Sequence, residues 1–90
     1  MIKGKTSTGF AFEVDPDVIR DYEYLELASK AADNGSIFPK LVEYTLGTQQ
    51  KDGLIGHLKE LKGRALIEDV SKEITEVMDA IRNGDPEAKK

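Results

Sequence analysis

Residues 10–14 alternate between apolar and polar side chains, a period of two that is typical of a β-strand with one buried face. The apolar positions are Phe10, Phe12 and Val14. A weaker run at 2–6 precedes this strand, and Gly9 in the intervening turn suits a positive φ. The pattern therefore predicts an N-terminal β-hairpin over about residues 2–14. Because an isolated hairpin is marginal in water, its apolar face has to lie on helices of the same chain, or its edge has to pair with another chain.

After the hairpin, apolar residues recur every three or four positions, as they do in amphipathic helices. This period predicts about four helices, over residues 18–33, 36–46, 48–62 and 66–82. In the second helix we expect the buried face to contain Ile37, Phe38, Leu41, Val42, Thr45 and Leu46. In the last two helices we expect inward side chains at Leu54, Ile55, Leu58, Leu61, Ile67, Val70, Ile74, Val77, Met78 and Ile81. The predicted fold is mainly α, with a hairpin followed by a helical bundle.

Capping residues define the predicted ends of these helices. Asp15-Pro16-Asp17 ends the strand and opens the first helix, because proline is tolerated in the first turn. We expect Asn34-Gly35 to close that helix with a left-handed residue and Ser36 to cap the second helix. Asn83-Gly84 is predicted to cap the fourth.

Two glycines, Gly53 and Gly56, lie within the third predicted helix, where each costs about 1 kcal/mol relative to alanine. They either permit a close helix approach or delay the start of this helix to near Asp52. With ninety residues in total, we predict one small domain over 1–84 and a flexible polar tail over 85–90.

The composition excludes several classes of protein. The chain has no cysteine and one histidine, which excludes disulfide scaffolds, thiol catalysis and cysteine-ligated zinc. Apolar runs do not exceed three residues, whereas a membrane span needs about 20 and a signal-peptide core about 7–15. We therefore expect a cytoplasmic protein that has no membrane partner, no metal and no cofactor.

The titratable residues do not form an enzyme signature. His57 has no sequence-defined nucleophile or orienting group, so we expect a surface or half-buried histidine. The carboxylate pairs Asp17/Asp21 and Glu73/Glu76 fall one helical turn apart, as chance allows in a chain with 17 acidic residues. We predict no catalytic residues and no enzymatic activity.

The net charge of −4 is unevenly distributed. Residues 13–26 carry six carboxylates against Arg20 alone, so this segment has a net charge of −5 and the remainder a net charge of +1. One interpretation is an acidic patch for a basic partner segment. The other is that acidic residues enter a helix at its N-terminus, where the macrodipole favours them. The two interpretations are compatible.

A cluster of cations, Lys59, Lys62 and Arg64, lies near the predicted turn between the third and fourth helices. Two helices joined by a short turn superficially suggest a helix-turn-helix that binds DNA. Glu68 and Asp69 at the start of the fourth helix argue against it, because phosphates would meet carboxylates there. We do not expect a nucleic-acid partner, although a small DNA-binding regulator or another protein-interaction module stays open as an alternative.

Several segments together resemble the tail assembly chaperones of long-tailed, non-contractile phages and prophages. They are the run 2–16, the acidic-aromatic run Asp21-Tyr22-Glu23-Tyr24-Leu25-Glu26-Leu27, and the segments 41–58 and 66–74. The likeness covers most of residues 2–80. It rests on the order of a hairpin and helices and on the acidic-aromatic run.

The resemblance implies a non-enzymatic protein that binds the long tape measure protein, keeps it soluble and helps tail tube subunits assemble around it. It implies a homo-oligomer that acts in the host bacterial cytoplasm and is absent from the mature virion. The family often makes two products through a programmed frameshift, and this chain would be the short product. Ala88-Lys89-Lys90 can be encoded by GCA AAA AAG, which contains the slippery heptamer A AAA AAG.

The acidic-aromatic run supplies the candidate partner-binding residues, because tyrosine is favoured at protein interfaces. These candidates are Tyr22, Glu23, Tyr24, Leu25 and Glu26. The competing interpretation is that the two tyrosines and Leu25 are core residues.

Overall fold

A computed structural model of the chain describes residues 1–84, and it begins with two strands that are followed by four α-helices. The strands are β1 (Ile2–Lys5) and β2 (Ala11–Val14), and the helices are α1 (Tyr22–Asp33), α2 (Phe38–Leu46), α3 (Thr48–Lys62) and α4 (Ile67–Gly84). Two 3-10 turns, Pro16–Arg20 and Gly35–Ile37, precede α1 and α2. The predicted mainly α fold with an N-terminal hairpin is confirmed. The predicted flexible tail at 85–90 lies outside the described residues.

The hairpin forms around a tight turn. β1 and β2 are antiparallel, with Ile2 opposite Val14 and Gly4 opposite Phe12. Gly9 has a φ of +93°, which glycine adopts without steric cost. A Cβ on Gly4 would lie 2.9 Å from Cζ of Phe12. Glycine therefore allows the Phe12 ring to lie over β1.

The apolar face of the hairpin packs against helices of its own chain. The buried core draws side chains from β2 and its turn and from α2, α3 and α4: Phe10, Phe12, Val14, Val42, Leu46, Leu54, Leu58, Val70, Ile74, Val77, Met78 and Ile81. The sequence left two possibilities for the hairpin, packing of its apolar face on helices of the same chain or pairing of its edge with another chain. In the structure, helices of the same chain cover the apolar face.

The predicted start of the first helix at residue 18 was wrong. Asp15 accepts a hydrogen bond from the Asp17 N–H at 2.9 Å and caps the 3-10 turn Pro16–Arg20. Asp21 is extended, with φ −77° and ψ 131°, and its carboxylate accepts from the Glu23 N–H at 2.9 Å. Each aspartate side chain caps its own turn, so the segment divides into a 3-10 turn and α1.

The predicted end of the first helix at Asn34 is confirmed, since Asn34 is the C-cap of α1, but the left-handed residue expected there and the Ser36 cap of the second helix were wrong. Asn34 is extended, with φ −138° and ψ 100°, and Gly35 is not left-handed. The Asn34 side-chain oxygen accepts from the Ser36 N–H at 3.1 Å. Because asparagine offers the backbone this local partner, Asn34 rather than Ser36 starts the turn that leads into α2.

At the other end of the chain, α4 continues through Asn83-Gly84 instead of being capped there. A Cβ on Gly84 would lie 2.7 Å from Cδ1 of Ile2. The last turn of α4 therefore packs closely against β1, which favours its continued helical conformation.

The third helix is continuous through Gly53 and Gly56. Leu54 and Leu58, one turn apart, are both fully buried. Leu61 is 54% exposed and, in α4, Ile67 is 75% exposed, although both were predicted to face inward. Each lies one turn from the nearest buried apolar residue of its own helix. Both are next to the α3–α4 connection and stay exposed because the amphipathic pattern extends beyond the end of the core.

Candidate partner-binding surfaces

The acidic-aromatic run lies at the start of α1. Tyr22 and Leu25 are 72% and 58% exposed, and their spacing of three residues places them on one side of the helix. Glu23 and Glu26 are exposed beside them. We refer to these four residues, Tyr22, Glu23, Leu25 and Glu26, as the acidic face. Tyr22 and Leu25 are therefore surface residues and not core.

The fifth candidate, Tyr24, is separated from the acidic face. Its side chain is half-buried and packs against the core. Burial raises the pKa of the Tyr24 hydroxyl, since the charged form would lose hydration. Tyr24 holds α1 on the bundle and thereby orients its neighbours toward solvent.

The start of α1 is also tied to α2 by Tyr44. The Tyr44 hydroxyl donates to Oδ2 of Asp21 at 2.5 Å. This hydrogen bond, together with the Glu23 N–H, lowers the pKa of Asp21. The same bond, followed by desolvation and by the negative charges of Asp21 and Glu23, raises the pKa of Tyr44 to about 12.

An apolar groove runs between α2, α3 and the first turns of α4, with a volume of about 530 Å³. The residues that line it are Phe38, Pro39, Val42, Lys51, Asp52, Ile55, Gly56, Lys59, Ala65, Ile67 and Val70. A second depression of about 360 Å³ shares Phe38, Pro39 and Ile67 with it and extends to Ala31 of α1. The two depressions are therefore adjacent, and together they are called the apolar groove.

The apolar groove is bordered by charges of both signs, because Lys51 and Asp52 are among the residues that line it. Lys59 lines it, and Lys40, Arg64 and Lys72 are exposed neighbours of lining residues. Within residues 1–84 none of these four forms an ion pair. Their charges are therefore available to a docked carboxylate.

The basic cluster predicted at the α3–α4 turn is reduced by an internal pair. Lys62 Nζ lies 2.9 Å from Oδ1 of Asp69. Its charge is thus partly neutralised by the acidic first turn of α4, and within residues 1–84 Lys59 and Arg64 are the members of the cluster that form no ion pair.

A polar cluster that sequence reasoning missed holds the hairpin turn. Glu73 of α4 is 1% exposed, and its Oε1 accepts the hydroxyls of Thr6 at 2.7 Å and Thr8 at 2.9 Å. Glu76, one turn further along α4, accepts the Ser7 N–H at 2.7 Å and the Ser7 hydroxyl at 2.8 Å. The signal in the sequence was a glutamate pair on an otherwise apolar helix face together with a Thr-Ser-Thr turn.

His57 completes this cluster from α3 and is half-buried, which confirms the sequence-based prediction. Its Nε2 lies 3.1 Å from both the carbonyl oxygen and the hydroxyl of Thr8. A carbonyl only accepts, so Nε2 carries the proton and donates. Because the Thr8 hydroxyl already donates to Glu73, the imidazole anchors the turn through Nε2 and does not take a proton from that hydroxyl.

Within residues 1–84 no three histidine or carboxylate side chains are placed to hold a metal ion, and no helix is long and apolar enough to cross a membrane. Comparison of the chain with protein-family models, curated proteins and solved structures finds no match. The acidic face and the apolar groove are the two surfaces of the described residues that have the chemistry of a binding site.

Proposed function

We propose that this chain is a non-enzymatic tail assembly chaperone of a long-tailed, non-contractile phage or prophage. It binds the tape measure protein, keeps it soluble and promotes tail tube assembly around it. The observation that carries the proposal is the apolar groove, a concave surface of the kind that receives one apolar face of a helix.

The shape and lining of the apolar groove support a helical client. The groove runs between helices, and its walls include Phe38, Ile55 and the strongly exposed Ile67. Helix-in-groove recognition uses client side chains spaced at i, i+3, i+4 and i+7. By the family resemblance, a tape measure protein offers long apolar helical faces, and such faces aggregate unless they are covered.

The proposal includes further properties that follow from the resemblance. The protein acts as a homo-oligomer in the cytoplasm of the host bacterium and is absent from the mature virion. Its net charge of −4 is consistent with keeping an apolar client in solution, because net charge increases solubility.

The first test is the nucleotide sequence of the gene and of the next few kilobases. We expect a slippery heptamer over Ala88-Lys89-Lys90, an open −1 frame, and then a very long coding region for a helical protein. A gene without a slip site and with metabolic or regulatory neighbours would contradict the proposal.

The second test is co-expression with the product of that long coding region. We expect this chain to increase the soluble fraction of the client and to co-purify with it. Ile67→Asp, which places a charge on the groove wall, should abolish both effects. Leu61→Asp is the matched control, since Leu61 is similarly exposed but does not line the groove.

The alternative of a DNA-binding regulator is tested with the same protein. Duplex binding whose log affinity falls linearly with log salt, together with no effect on client solubility, would replace the chaperone proposal.

A further inference from the structure

Gly56 lies on the α3 wall of the apolar groove, and the packing of this chain does not require a glycine there. We infer that Gly56 is a specificity-determining position of the groove, where a bulky apolar side chain of the client helix enters beside Ile55. This role rests on the proposed function, because it names the side-chain chemistry that the groove selects in its helical client.

Most other glycines of residues 1–84 have a structural reason within the chain. Gly9, Gly47 and Gly63 have a positive φ, a conformation that costs other residues energy. A Cβ on Gly4 would lie 2.9 Å from a side-chain atom of the same chain, and a Cβ on Gly84 would lie 2.7 Å from one. Backbone conformation or close packing therefore accounts for glycine at these positions.

Gly35 and Gly56 have neither reason. Their φ angles are not positive, and a Cβ on either residue would meet no atom within 4 Å. Inside α3, glycine is the least favourable residue except proline, so Gly56 weakens the helix without allowing a contact within the chain. Both glycines line the apolar groove. The missing side chains are therefore explained by what the groove receives.

The groove-lining residues of α3 form a hole for one client side chain. Asp52, Ile55, Gly56 and Lys59 have the spacing i, i+3, i+4 and i+7, and four residues of one helix surround each inserted side chain, or knob, in knobs-into-holes packing. We call these four residues the Gly56 hole. Because Gly56 has no Cβ, the hole is deep enough for the knob to approach the α3 backbone. Leucine, methionine or phenylalanine fills that depth, whereas alanine leaves a void that loses contacts.

The charged members of the Gly56 hole add a second requirement for the client. Oδ1 of Asp52 lies 3.5 Å from Nζ of Lys51, so this carboxylate already has a cationic partner. Lys59 forms no ion pair within residues 1–84. We expect the client to carry a carboxylate one helical turn from the knob, where it faces Lys59. Such a pair favours one orientation of the client helix across α3.

The test uses full-length variants and the client encoded by the long coding region described above. Light scattering of the diluted client gives the concentration of chain that keeps half of the client in solution. Gly56→Ala should raise this concentration about tenfold, because an extra methyl group overpacks a fitted contact. Gly56→Leu, which fills the hole, should abolish the effect on solubility.

Gly53→Ala is the matched control. It makes the same change in the same helix, but Gly53 does not line the groove, and its Cβ would lie in ordinary contact with Phe10 at 3.8 Å. This variant should keep the client soluble as the wild type does. Thermal denaturation should show that Gly56→Ala unfolds at a higher temperature than the wild type, which separates weaker client binding from misfolding.

Alanine substitutions along the apolar face of the client identify the knob. Alanine at the knob should weaken binding to the wild type and restore binding to Gly56→Leu, because the leucine then occupies the vacated space. If no client position restores binding, or if Gly56→Ala and Gly56→Leu bind like the wild type, the role of Gly56 is overturned.

Failure of this role and failure of the proposed function are distinguishable. A wild-type chain that keeps the client soluble, with Gly56 variants that do so equally well, would overturn only the role of Gly56. A wild-type chain without any effect on client solubility would contradict the chaperone proposal and the role of Gly56 together.

Discussion

Gln50 of α3 forms a two-point hydrogen bond with the backbone of Glu13 in β2. Its Oε1 accepts the Glu13 N–H at 2.7 Å, and its Nε2 donates to the Glu13 carbonyl at 2.7 Å. The same Nε2 also donates to the Leu46 carbonyl at 2.7 Å. The side-chain amide of Gln50 therefore hydrogen-bonds to the outer edge of β2 as a neighbouring strand would. Its bond to the Leu46 carbonyl also joins this edge to α2.

We predict that Gln50→Ala destabilises the protein by about 1 kcal/mol, because these hydrogen bonds are replaced by bonds to water. The exposed strand edge should also increase aggregation at high concentration. Urea denaturation and light scattering measure the two effects. Gln49→Ala, at the exposed neighbouring position, should change the free energy of unfolding by less than about 0.5 kcal/mol. Equal effects of the two substitutions would contradict the role assigned to Gln50.

The buried carboxylate of Glu73 leads to a second prediction. Thr6→Val removes a hydroxyl that donates to Glu73 and accepts from the Phe10 N–H, and we expect it to cost about 2 kcal/mol. Ser7→Ala, in the exposed part of the same turn, should cost less than about 1 kcal/mol. Chemical denaturation gives both values.

A double-mutant cycle checks that the Thr6 effect acts through Glu73. Thr6→Val and Glu73→Gln should be non-additive by at least about 0.5 kcal/mol, because the residues are in contact. Simple additivity would mean that Thr6 stabilises the turn independently of α4.

Two glycines should respond to alanine with opposite signs. Gly56 lies inside α3, and a Cβ there would meet no atom within 4 Å, so Gly56→Ala should stabilise the protein by about 0.5–1 kcal/mol. Gly63 has a φ of +84° at the α3–α4 connection, and Gly63→Ala should cost about 1 kcal/mol. Thermal denaturation of both variants tests the pair, and a destabilised Gly56→Ala protein would contradict the continuous third helix.

Tyr44 should make stability fall at alkaline pH. Its pKa is raised from 10.0 to about 12, chiefly by its hydrogen bond to Asp21. The protonated hydroxyl therefore contributes stability below about pH 10, and this contribution is lost as pH rises through about 12. Tyr44→Phe should flatten this part of the pH–stability profile. Ultraviolet absorbance of the tyrosinate should show that Asp21→Asn returns the Tyr44 pKa toward 10.0, and an unchanged pKa would exclude Asp21 as the cause.

The sequence was most informative where a local period determines the structure. The alternation at Phe10, Phe12 and Val14 predicted a buried strand face, and the repeat through Leu54 and Leu58 predicted the inward side of α3. Both are confirmed. The predicted starts of the first two helices were less accurate, because the side chains of Asp21 and Asn34 accept local hydrogen bonds that place a 3-10 turn before each helix.

The candidate surfaces could be predicted only in part from the sequence. The acidic-aromatic run identified Tyr22 and Leu25, but their exposure depends on Tyr24 packing against the core. The apolar groove was not identified, because it is built from parts of α2, α3 and α4 that are distant in the chain. Ile67 illustrates the difference, since its place in the amphipathic repeat predicted burial and its position beyond the end of the core leaves it exposed.

By itself, the sequence determined the hairpin, the four helices, their inward stripes and the separation of charge along the chain. These follow from backbone geometry and from side-chain periodicity, which act over a few residues. Only the tertiary structure decided which apolar residues are covered, which carboxylate is buried under the hairpin turn, and where an open groove lies. Those outcomes depend on how far one packed element extends over another, and a local pattern of residues does not specify the extent of this overlap.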